Sequence, residues 1–233
     1  MKNNVSEPLL PSYFLQQPAA DWGTDTLAAF EKLYMNAIAP GTGAAINYTL
    51  PAPKWQFLCW LCENHAIVLH GSGNPDITEF EPRQSNDVNE FGNRRAVYAA
   101  SDGIWPLYFA IVNRSVVTSL VNACFRVADG DTPSNSYYFF SVNGDALPRQ
   151  PWRNGTIYIL PSATFERQAR QIYRGLEIDH AQWASLVSVR PLAKLVVQPQ
   201  DFPFLAQIYP HDPALIGERA QANPDGFPWI EEL

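Results

Sequence analysis

Two segments of the chain carry, at or near the end of a predicted strand, side chains that can take part in catalysis or binding. The first covers residues 66–73, A-I-V-L-H-G-S-G, where an apolar run closes with His70, Gly71 and Ser72. The second, R-R-A-V-Y-A-A-S-D-G-I-W-P-L-Y-F-A, carries Tyr98 near the end of a strand and leads into a predicted helix. A sheet holds its strand ends rigidly, so these positions suit binding and catalytic side chains.

These residue types suit a flat aromatic ligand. A histidine exchanges hydrogen bonds and protons near neutral pH, and a glycine, which has no Cβ, lets a ligand come close to the backbone. Tyr98 with Tyr108, or with Phe109 in its place, would hold an aromatic ring between two side-chain rings. In the alternative interpretation, His70 is a structural side chain with satisfied hydrogen bonds and the aromatic residues belong to the core.

The composition indicates a folded, acidic protein. Of the 233 residues, 46% are hydrophobic and 17% are charged, so the chain can bury a sizeable core and is not disordered as a whole. The net charge is −7 and Lys and Arg form no long run, which argues against a nonspecific nucleic-acid-binding protein. We therefore expect a protein that acts on small molecules or on protein surfaces in preference to nucleic acid.

The sequence predicts a cytoplasmic protein without a membrane segment. Its first residues lack the apolar core of a signal peptide, and no stretch approaches the roughly 18 apolar residues that a membrane helix needs. Three cysteines do not suggest a disulfide framework. Cys59 and Cys62 have the spacing of a redox or metal-binding pair, but they lie in an apolar helical run, so we expect buried thiols and no metal site.

Hydrophobic periodicity and turn residues predict an α+β fold in which helices come first and mixed strands follow. We expect residues 1–63 to form an extended arm and helices that pack on the core, and residues 64–233 to form the main part of one compact domain. The predicted helices cover 25–39, 55–63, 102–112 and 165–174, with a short one after Asp201. The predicted strands lie near 66–70, 95–99, 115–127, 136–142, 156–160, 182–188 and 192–198.

The motifs, in this order, resemble those of the ADP-ribosyltransferases, in the branch of the poly(ADP-ribose) polymerases. H-G-S at the end of one strand is similar to the first motif of that branch, and V-Y-A-A-S-D-G-I-W-P-L-Y-F-A is similar to the second. The resemblance covers residues 64–200 and leaves the N-terminal helical segment outside. It implies two small antiparallel or mixed sheets that split around a cleft, with NAD bound there as a substrate.

The resemblance also implies a role for each residue of the two motifs. His70 would hydrogen-bond the ribose on the nicotinamide side of NAD. The backbone of Gly71 would pair with the nicotinamide amide. Tyr98 and Tyr108, or Phe109 instead of Tyr108, would sandwich the nicotinamide ring.

The third motif of that family is a Glu followed by an aromatic residue, at the start of a late strand. Here Q-W-A-S-L-V-S-V places Gln182 at that position. A carboxylate would stabilise the positive charge that develops at the anomeric carbon, whereas Gln keeps the hydrogen bond and loses the charge. We then expect transfer of single ADP-ribose units, or no activity, instead of polymer synthesis. Glu177 or Asp179 would supply the carboxylate if the register is shifted.

Arginines that follow the H-G-S motif are candidates for the phosphates of NAD, because a guanidinium group pairs bidentately with phosphate oxygens. Arg83 is the first candidate, in the loop that flanks the site in the family, and Arg94 and Arg95 are equal alternatives. Ser72 completes the set of candidate binding residues. A Ser-His-Asp hydrolase is not predicted, since the chain has no G-x-S-x-G motif.

The leading hypothesis is a mono-ADP-ribosyltransferase-like enzyme that cleaves the nicotinamide–ribose bond of NAD and transfers ADP-ribose to an acceptor. The rival hypothesis is a non-catalytic module of the same fold that binds ADP-ribose, another nucleotide or a protein. A third interpretation treats the H-G-S motif as a chance match. A further alternative is a related reaction on this fold, the transfer of a 2′-phosphate from RNA to NAD, in which arginines hold the phosphate.

Overall fold

The computed structural model describes residues 10–20, 22–85, 87, 90–129 and 132–230, so the first nine residues of the predicted N-terminal arm lie outside the described part. The predicted α+β class is confirmed: the described residues form two mainly antiparallel sheets and a few helices. No helix among them is long and apolar enough to cross a membrane.

Sheet I carries the predicted site residues. Its strands are β2 (Ile67–Ser72), β3 (Arg83–Gln84), β4 (Arg95–Ala100), β8 (Gly155–Pro161), β9 (Glu166–Arg167), β12 (Gln182–Ser185) and β13 (Ala193–Val197). They run in the order β13-β8-β2-β4-β12-β9, and β3 pairs with β4.

Sheet II consists of the strands β1 (Leu15–Gln16), β5 (Leu120–Asp129), β6 (Thr132–Pro133), β7 (Tyr137–Asn143), β10 (Gln171–Tyr173), β11 (Leu176–His180) and β14 (Tyr209–His211). They run in the order β1-β7-β5-β11-β10, with β6 paired to β5 and β14 paired in parallel to β7. The helices are α1 (Thr24–Ala37), α2 (Lys54–Asn64), α3 (Trp105–Ile111) and α4 (Pro213–Ala222).

One core joins the first three helices to both sheets. It contains fully buried aromatic and aliphatic side chains from each: Phe30 of α1, Phe57 of α2, Tyr108 of α3, Ile157 of β8 and Phe140 of β7. Burying a large apolar side chain contributes roughly 1.5–3 kcal/mol. The helices that precede the first motif strand in the sequence therefore share their core with the sheet that carries the site.

Asp102 fixes the start of α3. Its Oδ1 accepts hydrogen bonds from the backbone amides of Ile104 and Trp105, both at 2.8 Å. Its Oδ2 accepts the hydroxyl of Tyr138 in sheet II, also at 2.8 Å. A carboxylate near the first turn satisfies helix amides that have no partner within the helix. Asp102 thus ties α3 to sheet II, and the S-D sequence before the helix is the signal for such a cap.

Two glycines let α3 pack directly on sheet I. A Cβ built on Gly71 would come within 1.9 Å of the carbonyl oxygen of Pro106, and one built on Gly155 within 2.0 Å of the carbonyl oxygen of Ala110. Only residues without a Cβ permit this contact between strand and helix backbones. These glycines position α3 over β2 and β8.

The helix predicted over 165–174 is wrong. β9 and β10 occupy this segment, and β10 forms a hairpin with β11. Arg174 and Gly175 both have positive φ, 51° and 81°, as in the two-residue turns that join the strands of a β-hairpin. The prediction missed the turn, because the Arg–Gly pair is a weaker signal than Asn–Gly.

Asp201 does not begin a helix. It lies at the end of a 3₁₀ turn, Pro199–Asp201, where its Oδ2 accepts from the amide of Gln198 at 2.7 Å and from Nζ of Lys54 at 2.9 Å. Asp201 therefore links the loop after β13 to the first turn of α2.

Candidate functional site

The three strands that carry the predicted motifs are neighbours in sheet I. β12 begins at Gln182 and pairs with β4, with Gln182 opposite Ala100 and Ala184 opposite Tyr98. β4 in turn pairs with β2, with Ala100 opposite Leu69. The order β12-β4-β2 therefore brings the third, second and first motif strands side by side.

β2 and β4 pair at Leu69 and Ala100 and then diverge. β2 continues in register with β8 as far as Ser72, whereas β4 pairs with β3 at Arg95 and Ala96. After Leu69, the backbone edge of β2 that faces β4 consequently no longer pairs with that strand. His70 is the first residue beyond this point.

The side chain of His70 bridges the divergence. Its Nδ1 lies 2.7 Å from the carbonyl oxygen of Tyr98. Because a carbonyl oxygen only accepts, Nδ1 carries the proton, and Nε2 of the neutral ring is an acceptor. Burial lowers the pKa of His70, which keeps the ring neutral at pH 7. Among the described residues no hydrogen bond to Nε2 is formed, and His70 as a whole is half-buried.

His70 and Tyr98 point to opposite faces of sheet I. Leu69 and Ala100 are paired and share one face. Side chains alternate along a strand, so Tyr98, two residues before Ala100, lies on that face and His70 lies on the other. Gln182, which is opposite Ala100, shares the face of Tyr98.

Phe80 lies beside His70, and sequence reasoning missed it. The two rings are 4.6 Å apart between centroids, and Phe80 also contacts the ring of Tyr158 at 5.1 Å. Backbone hydrogen bonds to Val189 in both directions, of 2.8 and 2.9 Å, hold Phe80 in place. The available signal was an apolar aromatic residue inside an otherwise polar loop, E-F-E-P.

The hydroxyl of Tyr98 closes the loop that precedes its strand. It accepts a hydrogen bond from the amide of Arg94 at 2.8 Å and lies 2.9 Å from the carbonyl oxygen of Phe91, to which it donates. The hydroxyl is thus engaged by the chain. The half-buried ring is the part of Tyr98 that remains for a ligand.

Gly71 lies within β2 and not in a turn after the strand. Its close contact with Pro106 shows that α3 covers one face of this residue. A flat ligand cannot lie on that face, and the backbone of Gly71 pairs with Ile157 of β8. Ser72 follows, and its hydroxyl accepts from the amide of Asn74 at 3.1 Å in the turn after the strand.

The two candidate rings of α3 differ in exposure. Tyr108 is fully buried, and its hydroxyl donates to the carbonyl oxygen of Ser141 at 2.8 Å. Phe109 is half-buried and contacts the ring of Trp105, with 5.6 Å between centroids. Of the two, Phe109 is the ring that a ligand can reach.

Gln182 lies on the strand beside Tyr98, whereas the alternative acids Glu177 and Asp179 do not. It is half-buried at the start of β12, beside β4. Glu177 and Asp179 lie on β11 of sheet II, where Glu177 pairs with Arg170 at 3.2 Å and Asp179 pairs with Arg167. Both carboxylates therefore lie on sheet II and are engaged in ion pairs, that of Asp179 being with an arginine of β9 in sheet I.

The three candidate arginines are in different states. Arg94 forms an ion pair with Glu166 and stacks on Phe91, with its guanidinium carbon 4.2 Å from the ring centroid. Arg83 is exposed on β3. Arg95 lines a shallow concavity of about 460 Å³ together with Glu81, Pro82, Leu186 and Ser188. Arg83 and Arg95 are accordingly better placed than Arg94 to meet a phosphate group.

The cysteines are free thiols, and the expectation that Cys59 lies buried in a helix is confirmed. Cys124 is also buried, Cys62 is half-buried, and burial raises the pKa of all three. Thiols with a raised pKa are poor nucleophiles. The described residues hold no group of three or more His, Cys, Asp or Glu side chains suited to a metal ion.

A comparison of the chain with protein-family models, with curated proteins and with solved structures found no match.

Proposed function

We propose that this chain binds NAD where β2 and β4 diverge and transfers a single ADP-ribose unit from it to an acceptor. The observation that carries the proposal is the strand order β12-β4-β2, with a neutral His70 at the point of divergence. In the family that the motifs resemble, a His, a Tyr and a third residue act together. Here the corresponding residues lie on three adjacent strands.

His70 supplies a hydrogen-bond acceptor for the sugar. Its Nδ1 donates to the Tyr98 carbonyl, so its Nε2 is left to accept a hydrogen bond from a ribose hydroxyl. The bond to Tyr98 fixes the ring and its tautomer, as second partners of functional histidines commonly do. The ligand therefore meets a preorganised acceptor.

The nicotinamide ring would lie on the opposite face of sheet I from His70, against Tyr98 and Phe109. Tyr98 faces the side of sheet I that α3 covers, and Phe109 is the accessible ring of that helix. Offset or edge-to-face contacts between aromatic rings contribute about 0.5–1.5 kcal/mol beyond area burial. The nicotinamide and its ribose would then meet residues on the two faces of the sheet.

Gln182 limits the rate of the reaction. When the nicotinamide–ribose bond breaks, nicotinamide leaves with the bonding electron pair and positive charge develops at the anomeric carbon. The carboxamide of Gln182, on the face of Tyr98 where the nicotinamide would lie, provides no negative charge to this centre. Preorganised charge is the larger contribution to such transition states. Slow transfer of single units follows.

Binding without turnover is the second candidate function, and the glutamine at position 182, where the third motif of the family has a glutamate, favours it. Gln182 carries no charge, and the two nearby acidic residues in the sequence, Glu177 and Asp179, are engaged on sheet II. In this case the protein recognises NAD or ADP-ribose and leaves the glycosidic bond intact.

The first test is a thermal-shift titration with NAD, ADP-ribose and nicotinamide. A ligand at 100 times its dissociation constant stabilises the folded state by about 2.7 kcal/mol, which raises the melting temperature measurably. We expect NAD to stabilise the wild type and His70→Ala to abolish the effect. His180→Gln, a change to a half-buried histidine on sheet II, is the matched control and should keep it.

A nicotinamide-release assay separates the two functions. Transferase activity predicts slow release by the wild type and faster release by Gln182→Glu. Stabilisation by NAD or ADP-ribose without release would establish binding alone. Failure of all three ligands to stabilise the protein would reject both functions.

A further inference from the structure

A histidine bridges two serines at one end of sheet II. Nε2 of His211 lies 2.8 Å from Oγ of Ser119, and its Nδ1 lies 2.6 Å from Oγ of Ser141. The three residues come from distant parts of the chain, before β5, within β7 and at the end of β14. A base within hydrogen-bond reach of a hydroxyl, and held by a third group, is the arrangement of an activated nucleophile.

The backbone around β7 holds all three side chains. β14 runs parallel to β7, with Tyr209 opposite Ser141 and His211 opposite Asn143. The side-chain Oδ1 of Asn143 accepts from the amides of Thr118 and Ser119, at 2.9 and 3.2 Å. The end of β7 therefore fixes both the imidazole and the segment that carries Ser119.

The three side chains form a line from the interior to the surface. Ser141 is fully buried, His211 is 7% exposed, and Ser119 is half-exposed. Burial lowers the pKa of His211, although the nearby Asp212 opposes the shift, so the ring is neutral at pH 7. In the tautomer that a base requires, Nδ1 donates to Oγ of Ser141 and Nε2 accepts from Oγ of Ser119. Ser119 is therefore the least buried of the three residues.

His211 also lines a concavity of about 530 Å³. Its other walls are formed by two carboxylates and three small or rigid residues: Asp145, Asp212, Gly144, Pro210 and Pro213. Asp145 is paired with Arg149 at 2.6 Å, so Asp212 is the carboxylate of this wall that would repel an anionic ligand. A neutral or cationic substrate suits this wall.

We propose that Ser119, His211 and Ser141 form a second, independent site, in which Ser119 is an acyl-accepting nucleophile, His211 is its general base and Ser141 positions the imidazole. The substrate class is a neutral or cationic acyl ester with a good leaving group. Ser119 and His211 are the catalytic residues, since they exchange protons and bonds with the substrate. Ser141 acts through His211 and is a positioning residue.

The reaction is a two-step transfer of the acyl group to water. Oγ of Ser119 attacks the carbonyl carbon while its proton moves to Nε2 of His211. The tetrahedral intermediate collapses, the bond to the leaving oxygen breaks, and that oxygen takes the proton from His211. Water then attacks the acyl-Ser119 ester in the same manner, gives its proton to His211, and releases the carboxylic acid as Ser119 recovers its proton.

The hydrogen bonds of Asn143 restrict the substrate. The amides of Thr118 and Ser119 donate to its Oδ1 and are therefore not free to stabilise an oxyanion. Loss of a single oxyanion donor costs roughly 10²–10³ in rate in other enzymes. Activated esters, whose leaving groups depart readily, are the substrates that such a site can process.

A biotinylated fluorophosphonate tests the nucleophile directly. The full chain is incubated with the probe, and the modified residue is located by peptide mass spectrometry. We expect a phosphonyl group on Ser119 of the wild type and none on Ser119→Ala. Ser115→Ala is the matched control, because Ser115 is exposed nearby with its hydroxyl bonded to Asn113 at 2.7 Å, and it should label like the wild type. Absence of label on Ser119, or label elsewhere, overturns the proposal.

Hydrolysis of p-nitrophenyl acetate tests the roles of the other two residues. Wild-type activity above the background reaction should disappear in Ser119→Ala and in His211→Gln. Ser141→Ala should lower kcat at least about tenfold with KM little changed, since the base loses its orientation and the substrate contacts remain. Circular dichroism verifies that each variant is folded. Equal hydrolysis by wild type and Ser119→Ala would make the Ser–His–Ser bridge a structural feature only.

Discussion

Nδ1 of His70 donates a hydrogen bond to the backbone carbonyl oxygen of Tyr98, 2.7 Å away on the neighbouring strand. The two residues are paired through this bond even though their side chains point to opposite faces of sheet I. The contact replaces a ladder hydrogen bond at the position where β2 and β4 separate. It therefore links the first and second motif strands and leaves Nε2 as the unprotonated nitrogen of the ring.

Loss of this bond should destabilise the protein. His70→Ala leaves the Tyr98 carbonyl without its partner, and an unsatisfied polar group costs about 1–3 kcal/mol. Urea unfolding followed by fluorescence measures the difference. Ser72→Ala is the control, since its hydroxyl accepts only from an exposed turn amide, and it should change stability by less than about 0.5 kcal/mol. Equal stabilities of the two variants would contradict the assignment.

Gly71→Ala should be destabilising because of the contact with α3. The new Cβ would lie 1.9 Å from the carbonyl oxygen of Pro106, so helix and strand must move apart. Overpacking of this kind costs about 1–3 kcal/mol. Gly217→Ala in α4 is the control: nothing lies within 4 Å of the added methyl group, and the change should stabilise the helix by about 0.5–1 kcal/mol. Chemical denaturation of both variants tests whether their effects have opposite signs.

Phe109 and Tyr108 should respond differently in a ligand titration. Phe109→Ala removes the accessible ring of α3, so we expect it to weaken stabilisation by NAD. Tyr108→Phe removes one buried hydrogen bond to Ser141, which lowers stability by about 1 kcal/mol without altering the response to NAD. Thermal shifts with and without ligand separate the two effects. A loss of the NAD response in Tyr108→Phe would show that the core residue shapes the site.

His180 should make the stability of the protein depend on pH. Burial lowers the pKa of this histidine from 6.5 to about 4. Between these values the unfolded chain binds more protons than the folded chain, so the free energy of unfolding falls as the pH is lowered through this window. His180→Gln lacks the titrating group and can keep a hydrogen bond to Gln171, which lies 3.1 Å from Nε2.

Urea titrations of wild type and His180→Gln at pH 7 and pH 4.5 measure this effect. The stability of the wild type relative to the variant should decrease in acid. His70 and His211 also have lowered pKa values, but they are present in both proteins and do not affect the comparison. A difference that does not change with pH would show that His180 titrates normally.

The elements of sheet I were predictable because their signals are local. The strands at 67–72 and 95–100 are apolar runs bounded by polar or turn residues, and they appear near the predicted bounds. The segment 165–174 was predicted wrongly, because its strands are stabilised by pairing with β11 and β12 and not by their own periodicity. Helix α4 was not anticipated, although Asp212 caps it by accepting from the amide of Ala214 at 2.9 Å.

The sequence by itself determined the α+β class, the helices that precede the strands, and the residue types at the ends of the motif strands. Only the tertiary structure decided that His70 and Tyr98 face opposite sides of sheet I, that Tyr108 is buried, and that Glu177 and Asp179 lie on the other sheet. Only it brought Ser119 and Ser141 to His211. The physical reason is that hydrophobic periodicity specifies which face of an element is buried, whereas strand order, register and long-range hydrogen bonds depend on how distant segments pack together.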